Sequence, residues 1–435
     1  MSQPSQTGLV RAIGRWSLAA LVVNSVIGSG IFGLPSVIAG LVGTASVWAV
    51  LAAGAAIGII MACYAELASQ FTEAGGPYLY ARTAFGRLVG IETGWMLWLS
   101  QLASPAANAN LFVIYLGEFW PGAKAPVPKF LILTLLVGIL TFINYRGVRA
   151  GTEVSNVFTV AKLVPLAVVI VGGAICFFST HAGTSVARVP NPSDWPKAIL
   201  LLMFAYGGFE TALTPMSEAK DPRRDAVFGL FVALLTCTVV YTLIQWLVVG
   251  LLADPAHSER PLADVVRLFL GTKGAQLIAV GALVSVYGYL SAKILAVPRV
   301  TYALAEKGDF PRLFGAVHPR FHTPYFSILA FAAVTWLLAL FGSFAWNVTL
   351  AALSRLFYYG IGCAALPMLR RKQPTAALFR LPGGYVFSVA GVLICLALVT
   401  RVDRSGSFIL LATIVAALLN WVWVRNRKET GVRVP

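Results

Sequence analysis

Near its start the chain reads Asn24-Ser-Val-Ile-Gly-Ser-Gly-Ile-Phe-Gly-Leu-Pro35, inside an apolar segment that runs from about residue 12 to about residue 42. The segment is long enough to cross a lipid bilayer, but Gly28, Gly30, Gly33 and Pro35 crowd its middle. Glycine costs a helix interior about 1 kcal/mol relative to alanine, and proline about 3 kcal/mol. The cluster therefore predicts a helix that is broken at the depth of the bilayer.

A broken helix within a membrane suits a ligand that carries two opposite charges. Unpaired backbone is tolerated at that depth only where it is buried in protein or lines a cavity. The free N–H groups at the start of the second half-helix attract an anion, and the free carbonyls at the end of the first half-helix attract a cation. An α-amino acid carries both charges close together, so the break predicts an amino acid site. The alternative is a kinked helix whose glycines serve packing.

The composition indicates a polytopic helical membrane protein. Of the 435 residues, 58% are hydrophobic and 11% are charged, whereas about 25% are charged in soluble domains. The net charge of +16 does not indicate nucleic-acid binding, because the basic residues lie in short loops between apolar runs. No small-residue cleavage pattern precedes the first apolar segment, so we expect that segment to be retained.

The sequence does not indicate an enzyme. The five cysteines form no CxxC pair, and the four histidines lie in polar stretches between apolar runs. No GxxxxGK[ST] nucleotide-binding loop occurs. We therefore expect no catalytic residue, no cofactor and no metal.

Apolar runs of roughly 20 residues predict twelve membrane spans. They cover about residues 12–42, 45–69, 87–118, 128–145, 155–179, 195–219, 225–252, 275–305, 324–342, 346–369, 385–401 and 406–425. The outer loop of about 253–274 contains a short polar helix pattern. The inner stretch 70–86 is predicted to be an amphipathic element at the membrane surface.

The basic residues predict the orientation of the spans. An even number of spans places both termini on one side, and twenty of the 33 lysines and arginines lie on that side. Nine lie in the opposite loops, and four lie within apolar runs. Because cytoplasmic loops carry the excess of Lys and Arg, both termini are predicted to be cytoplasmic, in the cell (inner or plasma) membrane.

A second break lies in the sixth span, Leu200-Leu-Leu-Met-Phe-Ala-Tyr-Gly-Gly-Phe-Glu-Thr-Ala-Leu-Thr-Pro215. Gly207 and Gly208 are followed by Glu210, and a carboxylate this deep is a functional candidate. Its alternative role is to fix the local helix geometry. The two breaks are about 180 residues apart, as in an inverted repeat of two five-helix units. These units would cover residues 12–180 and 181–370, with peripheral spans in 371–425 and cytoplasmic tails at 1–11 and 426–435.

Four stretches resemble the amino acid permease branch of the amino acid–polyamine–organocation superfamily. They are Ile27-Gly-Ser-Gly-Ile-Phe-Gly-Leu-Pro35, the segment from Tyr64 to Tyr80, Gly207-Gly-Phe-Glu210 with Glu218 and Asp221-Pro-Arg-Arg224, and the segment from Pro298 to Pro311. They occur in the family's order and cover nearly the whole ten-helix core. The resemblance implies an all-α leucine-transporter fold with discontinuous first and sixth helices, and transport by alternating access.

The resemblance also implies a substrate site at the two breaks. Ser29, Gly30 and Ile31 would bind the substrate carboxylate through backbone N–H groups, with the Ser29 hydroxyl nearby. The carbonyls of Val26, Phe204 and Gly207 would accept the amino group. The rings of Phe204 and Tyr206 would face the substrate. The remaining site residues are Ile27, Ala205 and Lys293.

The charged residues inside the spans carry the prediction of energy coupling. In the resembling family, a lysine at the position of Lys162 stands where sodium binds in sodium-coupled relatives, so transport is predicted to be sodium-independent. Lys162 and Glu210 are the predicted coupling residues, and the proton is the predicted coupling ion. Arg299 and Arg355 are interpreted as structural.

Lys293 departs from the family pattern, and three interpretations of it stay open. It would select a substrate with an acidic side chain, pair with Glu210 or another carboxylate, or act as a second proton-linked group. An unpaired charge is costly within a membrane, so we expect Lys293 to have a partner.

The predicted function is sodium-independent, proton-coupled uptake of amino acids. The alternatives are an amino acid exchanger, a permease for amines or polyamines, and a transporter-like nutrient sensor. The expected partners are a small amino acid, a proton and membrane lipid, and the expected state is a monomer or a weak homodimer.

Overall fold

The computed structural model describes residues 14–71, 75–146, 152–180, 191–212, 221–400 and 404–425. Within these ranges the chain is helical and contains no β-strand. The helices are α1 Arg15–Val26, α2 Gly30–Val42, α3 Ser46–Gln70, α4 Gly76–Phe85, α5 Arg87–Leu116, α6 Pro126–Arg146, α7 Thr152–Thr180, α8 Asp194–Tyr206, α9 Phe209–Ala212, α10 Pro222–Leu251, α11 Pro261–Glu306, α12 Tyr325–Phe341, α13 Phe344–Lys372, α14 Gly384–Val399 and α15 Arg404–Val424.

The helices are those of a polytopic membrane protein. Among the described residues, six segments are long and apolar enough to cross a bilayer, and three shorter helices, within α7, α12 and α14, are also apolar. Large apolar side chains such as Phe341 and Phe408 point away from the protein and are 83% and 73% exposed, as lipid-facing side chains are. Only 17% of the apolar window in α15 is buried, against 72% in α13. The core therefore lies around α13 and its neighbours, with α15 at the periphery.

The first predicted break is present but narrower than the glycines suggest. Helix α1 ends at Val26, Ile27 has extended backbone, and α2 begins at Gly30. Gly33 and Pro35 lie inside α2. The break is thus confined to residues 27–29, and the proline is accommodated within the second half-helix.

The second predicted break lies at Gly207 and Gly208. Helix α8 ends at Tyr206, and Gly208 has a φ of +113°, a conformation that glycine adopts without the penalty other residues pay. A Cβ atom at this position would lie 2.4 Å from the Ser25 carbonyl oxygen of α1. Both the backbone conformation and the close approach of α1 therefore require glycine at residue 208.

Of two regions predicted at the ends of the spans, one contains a helix as expected and the other differs in its boundary. The inner stretch contains α4, as expected for an amphipathic element. At the opposite end of the bundle, α11 begins at Pro261, well before the predicted start of the eighth span near residue 275. The polar helix pattern in the outer loop is the first part of α11, and Gly271, with a φ of +62°, separates it from the apolar part.

A polar network holds helix ends together at one end of the helix bundle. Asp309, which follows α11, accepts hydrogen bonds from Arg82 Nη1 at 2.7 Å and Arg87 Nε at 2.8 Å, and from the Tyr78 hydroxyl. Burial, together with the bond to Asp309, raises the pKa of Tyr78 above its ordinary value. This network joins α4, α5 and the end of α11.

Candidate functional site

The two helix breaks lie against each other in the core. A Cβ atom on Gly30 would lie 2.9 Å from Ala205 Cα, so the first turn of α2 contacts the last turn of α8 directly. On the other side, Gly208 meets the backbone of Ser25. The absence of side chains at Gly30 and Gly208 lets the ends of four half-helices converge, as a site built from backbone groups requires.

The carbonyl end of α8 is occupied by an arginine. The Phe204 carbonyl oxygen accepts a hydrogen bond from Gly207 N at 3.2 Å and one from Arg355 Nη1 at 2.8 Å. A carbonyl oxygen has two lone pairs, so both are in use. The predicted role of Phe204 in accepting the substrate amino group stays a prediction, and it requires the Arg355 guanidinium to move.

Arg355 lies at the centre of the molecule, and its placement was missed in the sequence interpretation. Its Nε atom lies 3.3 Å from Ser100 Oγ and its Nη2 atom 3.2 Å from Ser104 Oγ. Its guanidinium carbon lies 5.2 Å from the centre of the Phe204 ring, within cation–π range. The residue is 5% exposed. It therefore links α13 to α5 and to the break between α8 and α9.

Glu210 is held from several sides. Its two carboxylate oxygens accept hydrogen bonds at 2.8 Å from the hydroxyls of Tyr358 and Tyr359, and Oε2 also accepts one from Gly208 N at 2.9 Å. Arg355 Nε lies 3.7 Å from Oε1. These contacts fit the interpretation that Glu210 fixes the geometry of the break. Its predicted role in coupling stays a prediction.

Lys293 approaches the same region from α11. Its Nζ atom donates to Gln101 Oε1 at 2.7 Å and lies 5.4 Å from the centre of the Tyr289 ring. Gln101 is a neutral partner, and the cation beside Glu210 is Arg355. The contacts of Lys293 thus differ from the pairing with Glu210 that was one of the three interpretations of this lysine.

A second tyrosine network binds the end of α1 to the end of α8. The Tyr241 hydroxyl of α10 lies 3.0 Å from the Val26 carbonyl oxygen and 2.9 Å from that of Ala205. Its single hydrogen is shared between the two acceptors. The Val26 carbonyl retains a lone pair, so its predicted contact with a substrate amino group is compatible with this bond.

The other predicted site residues surround the breaks. Ser29 is buried, and its hydroxyl has no hydrogen-bond partner among the described residues. Ile27 and Ile31 are buried apolar side chains of the core. The Tyr206 hydroxyl donates to the Val50 carbonyl of α3 at 3.1 Å. Lys162 belongs to α7, but its side chain lies outside the described part of the structure.

A polar pattern in the tenth span was the available signal for the missed residues. Arg355 is followed three and four residues later by Tyr358 and Tyr359, and this spacing places the three side chains on one face of a helix. All three meet Glu210 in the structure. An arginine with two tyrosines on one face of an apolar span therefore indicates a buried carboxylate partner.

Comparison with known proteins gives the family. The family described as amino acid permease matches residues 13–424. The chain is 27% identical to the methylthioribose transporter of Bacillus subtilis over 91% of this chain and 89% of that protein. It is 26% identical to the branched-chain amino acid permease BcaP of the same organism over 91% and 88%. It is 28% identical to the arginine/agmatine antiporter of Chlamydia caviae over 78% and 74%. The chain therefore belongs to the amino acid permease family, whose members are membrane transporters and not enzymes.

Proposed function

We propose that the protein is a secondary active transporter that moves amino acids across the cell membrane by alternating access, without sodium and coupled to protons. The observation that carries the proposal is the meeting of two broken helices, with Gly30 of one packed on Ala205 of the other. In this proposal the chain forms two inverted five-helix units, residues 12–180 and 181–370, and two peripheral spans.

The start of α2 is the proposed site of the substrate carboxylate. The first N–H groups of a helix lack acceptors within the helix and stabilise negative charge. The unpartnered hydroxyl of Ser29 adds a donor at the same place. The amino group would lie across the break, against the carbonyls of Val26 and Gly207. Phe204 would join them once Arg355 has moved.

The proposed coupling ion is the proton. By its resemblance to the superfamily, Lys162 would stand where sodium binds in sodium-coupled members, and an ammonium group there would exclude a second cation. Burial disfavours the charged form of a lysine, so loss and gain of a proton at Lys162 would accompany the transport cycle. Glu210 holds the second break in place during that cycle.

Uptake into proteoliposomes tests this function. Labelled acidic, neutral and basic amino acids would be added in sodium-free buffer, with and without an inside-alkaline pH gradient. We expect accumulation only with the gradient, and loss of that dependence in Lys162→Ala. Uptake only into vesicles preloaded with amino acid would show an exchanger. Uptake that requires sodium, or uptake of amines alone, would contradict the proposal.

A further inference from the structure

Two cations bind to one face of α5. Arg355 contacts Ser100 and Ser104, and Lys293 contacts Gln101. Residues three and four apart on a helix are surface neighbours, so the two cationic groups lie within about one helical turn of each other. We call these residues, together with Glu210, the central cluster: Ser100, Gln101, Ser104, Glu210, Lys293 and Arg355.

The central cluster carries more positive than negative charge. Glu210 supplies one negative charge and lies beside Arg355. Lys293 supplies a second positive charge, and its hydrogen bond goes to the neutral amide of Gln101. Lys293 lies close enough to both Arg355 and Glu210 to interact with them electrostatically. The cluster has therefore one positive charge in excess at membrane depth, where an uncompensated charge is costly.

The two cations differ in how many polar groups bind them. Arg355 is 5% exposed and fully engaged by α5, α8 and Glu210. Lys293 is half-buried, and among the described residues its ammonium group, which has three donor hydrogens, donates to the Gln101 amide oxygen. Lys293 therefore has donor hydrogens left for an anionic ligand, and Arg355 lies behind it.

The central cluster borders the proposed substrate site. Arg355 reaches the Phe204 carbonyl across Gly207, where a Cβ atom would lie 2.0 Å from Nη1. The same guanidinium lies over the Phe204 ring. An amino acid bound between the α1–α2 break and the α8–α9 break would thus have its side chain close to a positively charged region.

We infer that Lys293, with Arg355 behind it, receives the side-chain carboxylate of an acidic amino acid. The inference rests on the proposed function and names its substrate class. A dicarboxylic amino acid carries one net negative charge near neutral pH and would compensate the excess charge of the cluster. A basic amino acid or a polyamine would add like charge to it.

Equilibrium binding to the purified, full-length protein tests the inference. Glutamate and glutamine have nearly the same shape and differ in side-chain charge, as do aspartate and asparagine. We expect the acidic member of each pair to bind at least about tenfold more tightly. This ratio of affinities corresponds to the contribution of one hydrogen bond to a charged group. In Lys293→Met the ratio of the two affinities should fall to near one.

Lys129→Met is the matched control. Lys129 is also a half-buried lysine on a spanning helix. Its ammonium group contacts the Leu340 and Gly342 carbonyls at the end of α12 and no residue of the central cluster among its described contacts. This variant should keep the wild-type ratio of affinities, and Lys293→Arg, which retains the charge, should also keep most of it.

The outcomes separate the inference from the proposed function. If wild-type protein binds glutamine as tightly as glutamate, the inference is overturned, although amino acid transport stands. An unchanged ratio in Lys293→Met would also overturn it. The wild-type comparison needs no variant, so the inference remains testable even if Lys293→Met does not fold. If the protein neither binds nor transports any amino acid, the proposed function itself is wrong.

Discussion

At the scale of single residues, Gly207 decides whether Arg355 can reach the break in the sixth span. The backbone of Gly207 has a φ of −77°, which alanine also adopts, so an added methyl group would act by overlap alone. That methyl group would lie 2.0 Å from Arg355 Nη1 and 2.6 Å from Cζ. Glycine is therefore required at residue 207 because the Arg355 guanidinium leaves no room for a Cβ atom, and not because of the backbone conformation.

We expect Gly207→Ala to displace Arg355 and destabilise the protein. Inserting a methyl group into a packed core typically costs about 1–3 kcal/mol. Thermal unfolding in detergent measures this loss, and proteoliposome uptake should fall with it. Gly138→Ala in α6 is the control, since no atom would lie within 4 Å of its added Cβ. If the two variants unfold at the same temperature, the Arg355 guanidinium does not lie against Gly207 as described.

Glu210 gives a second prediction at this scale. Glu210→Gln keeps the shape of the side chain but leaves the buried Arg355 without its anion, and such a change typically costs about 3–5 kcal/mol. The unfolding midpoint in detergent should drop clearly. Glu259→Gln removes the carboxylate of an exposed pair with Lys124, which is worth about 1 kcal/mol or less. Equal effects of the two substitutions would show that Glu210 is not held as described.

At the scale of helices and loops, Asp309 joins three elements. It accepts hydrogen bonds from Tyr78 and Arg82 of α4 and from Arg87 of α5. Asp309→Asn removes the charge that both arginines share. We expect α4 to open more often, with amide hydrogen exchange across residues 76–85 faster by about tenfold or more.

Asp225→Asn is the control for this element. Asp225 is also buried, but it accepts a hydrogen bond from Asp221 N at 3.1 Å within the start of α10. Exchange in α4 should be unchanged in this variant. Exchange in Asp309→Asn that matches the wild type would mean that apolar packing of α4, and not Asp309, holds the helix.

The elements were predictable from the sequence to the extent that local chemistry defines them. Glycine and proline in apolar runs located both breaks, because their backbone costs do not depend on the rest of the fold. Pro35 was misjudged, since tertiary packing accommodates it inside α2. The start of α11 at Pro261 was missed because Asp264 and Arg267 interrupt its first turns, and the spans were predicted from uninterrupted apolar length.

The site was predictable only in part. Backbone groups of residues 26–31 and 204–207 follow from the breaks themselves and from the family resemblance. Arg355 and Tyr241 do not, because their roles depend on which faces of α13 and α10 turn towards α8. The sequence of one chain does not show which face of each helix turns towards α8. Three helices must pack together before the bonds to Phe204 and Ala205 can form.

At the scale of the whole molecule, contacts between loops and helix ends assign the loops to two opposite ends of the helix bundle. One end contains the Arg370–Glu66 ion pair, at 2.6 Å, and the Asp309 network. The other contains Glu118, which pairs with Arg260 at 3.0 Å and with Arg267 at 2.6 Å. Lysine and arginine favour the cytoplasmic side, twenty against nine across the whole sequence. The Asp309 end should therefore face the cytoplasm.

Cysteine labelling in cells tests this orientation. His257 and Arg312 are exposed loop residues at the two opposite ends, and each would be replaced by cysteine. A membrane-impermeant maleimide should label His257→Cys in intact cells and Arg312→Cys only after the membrane is permeabilised. Wild-type protein is the blank, since four of its five cysteines are buried. The reverse pattern would show that the Glu118 end faces the cytoplasm, and the proposed pH gradient would then have to be applied in the opposite sense.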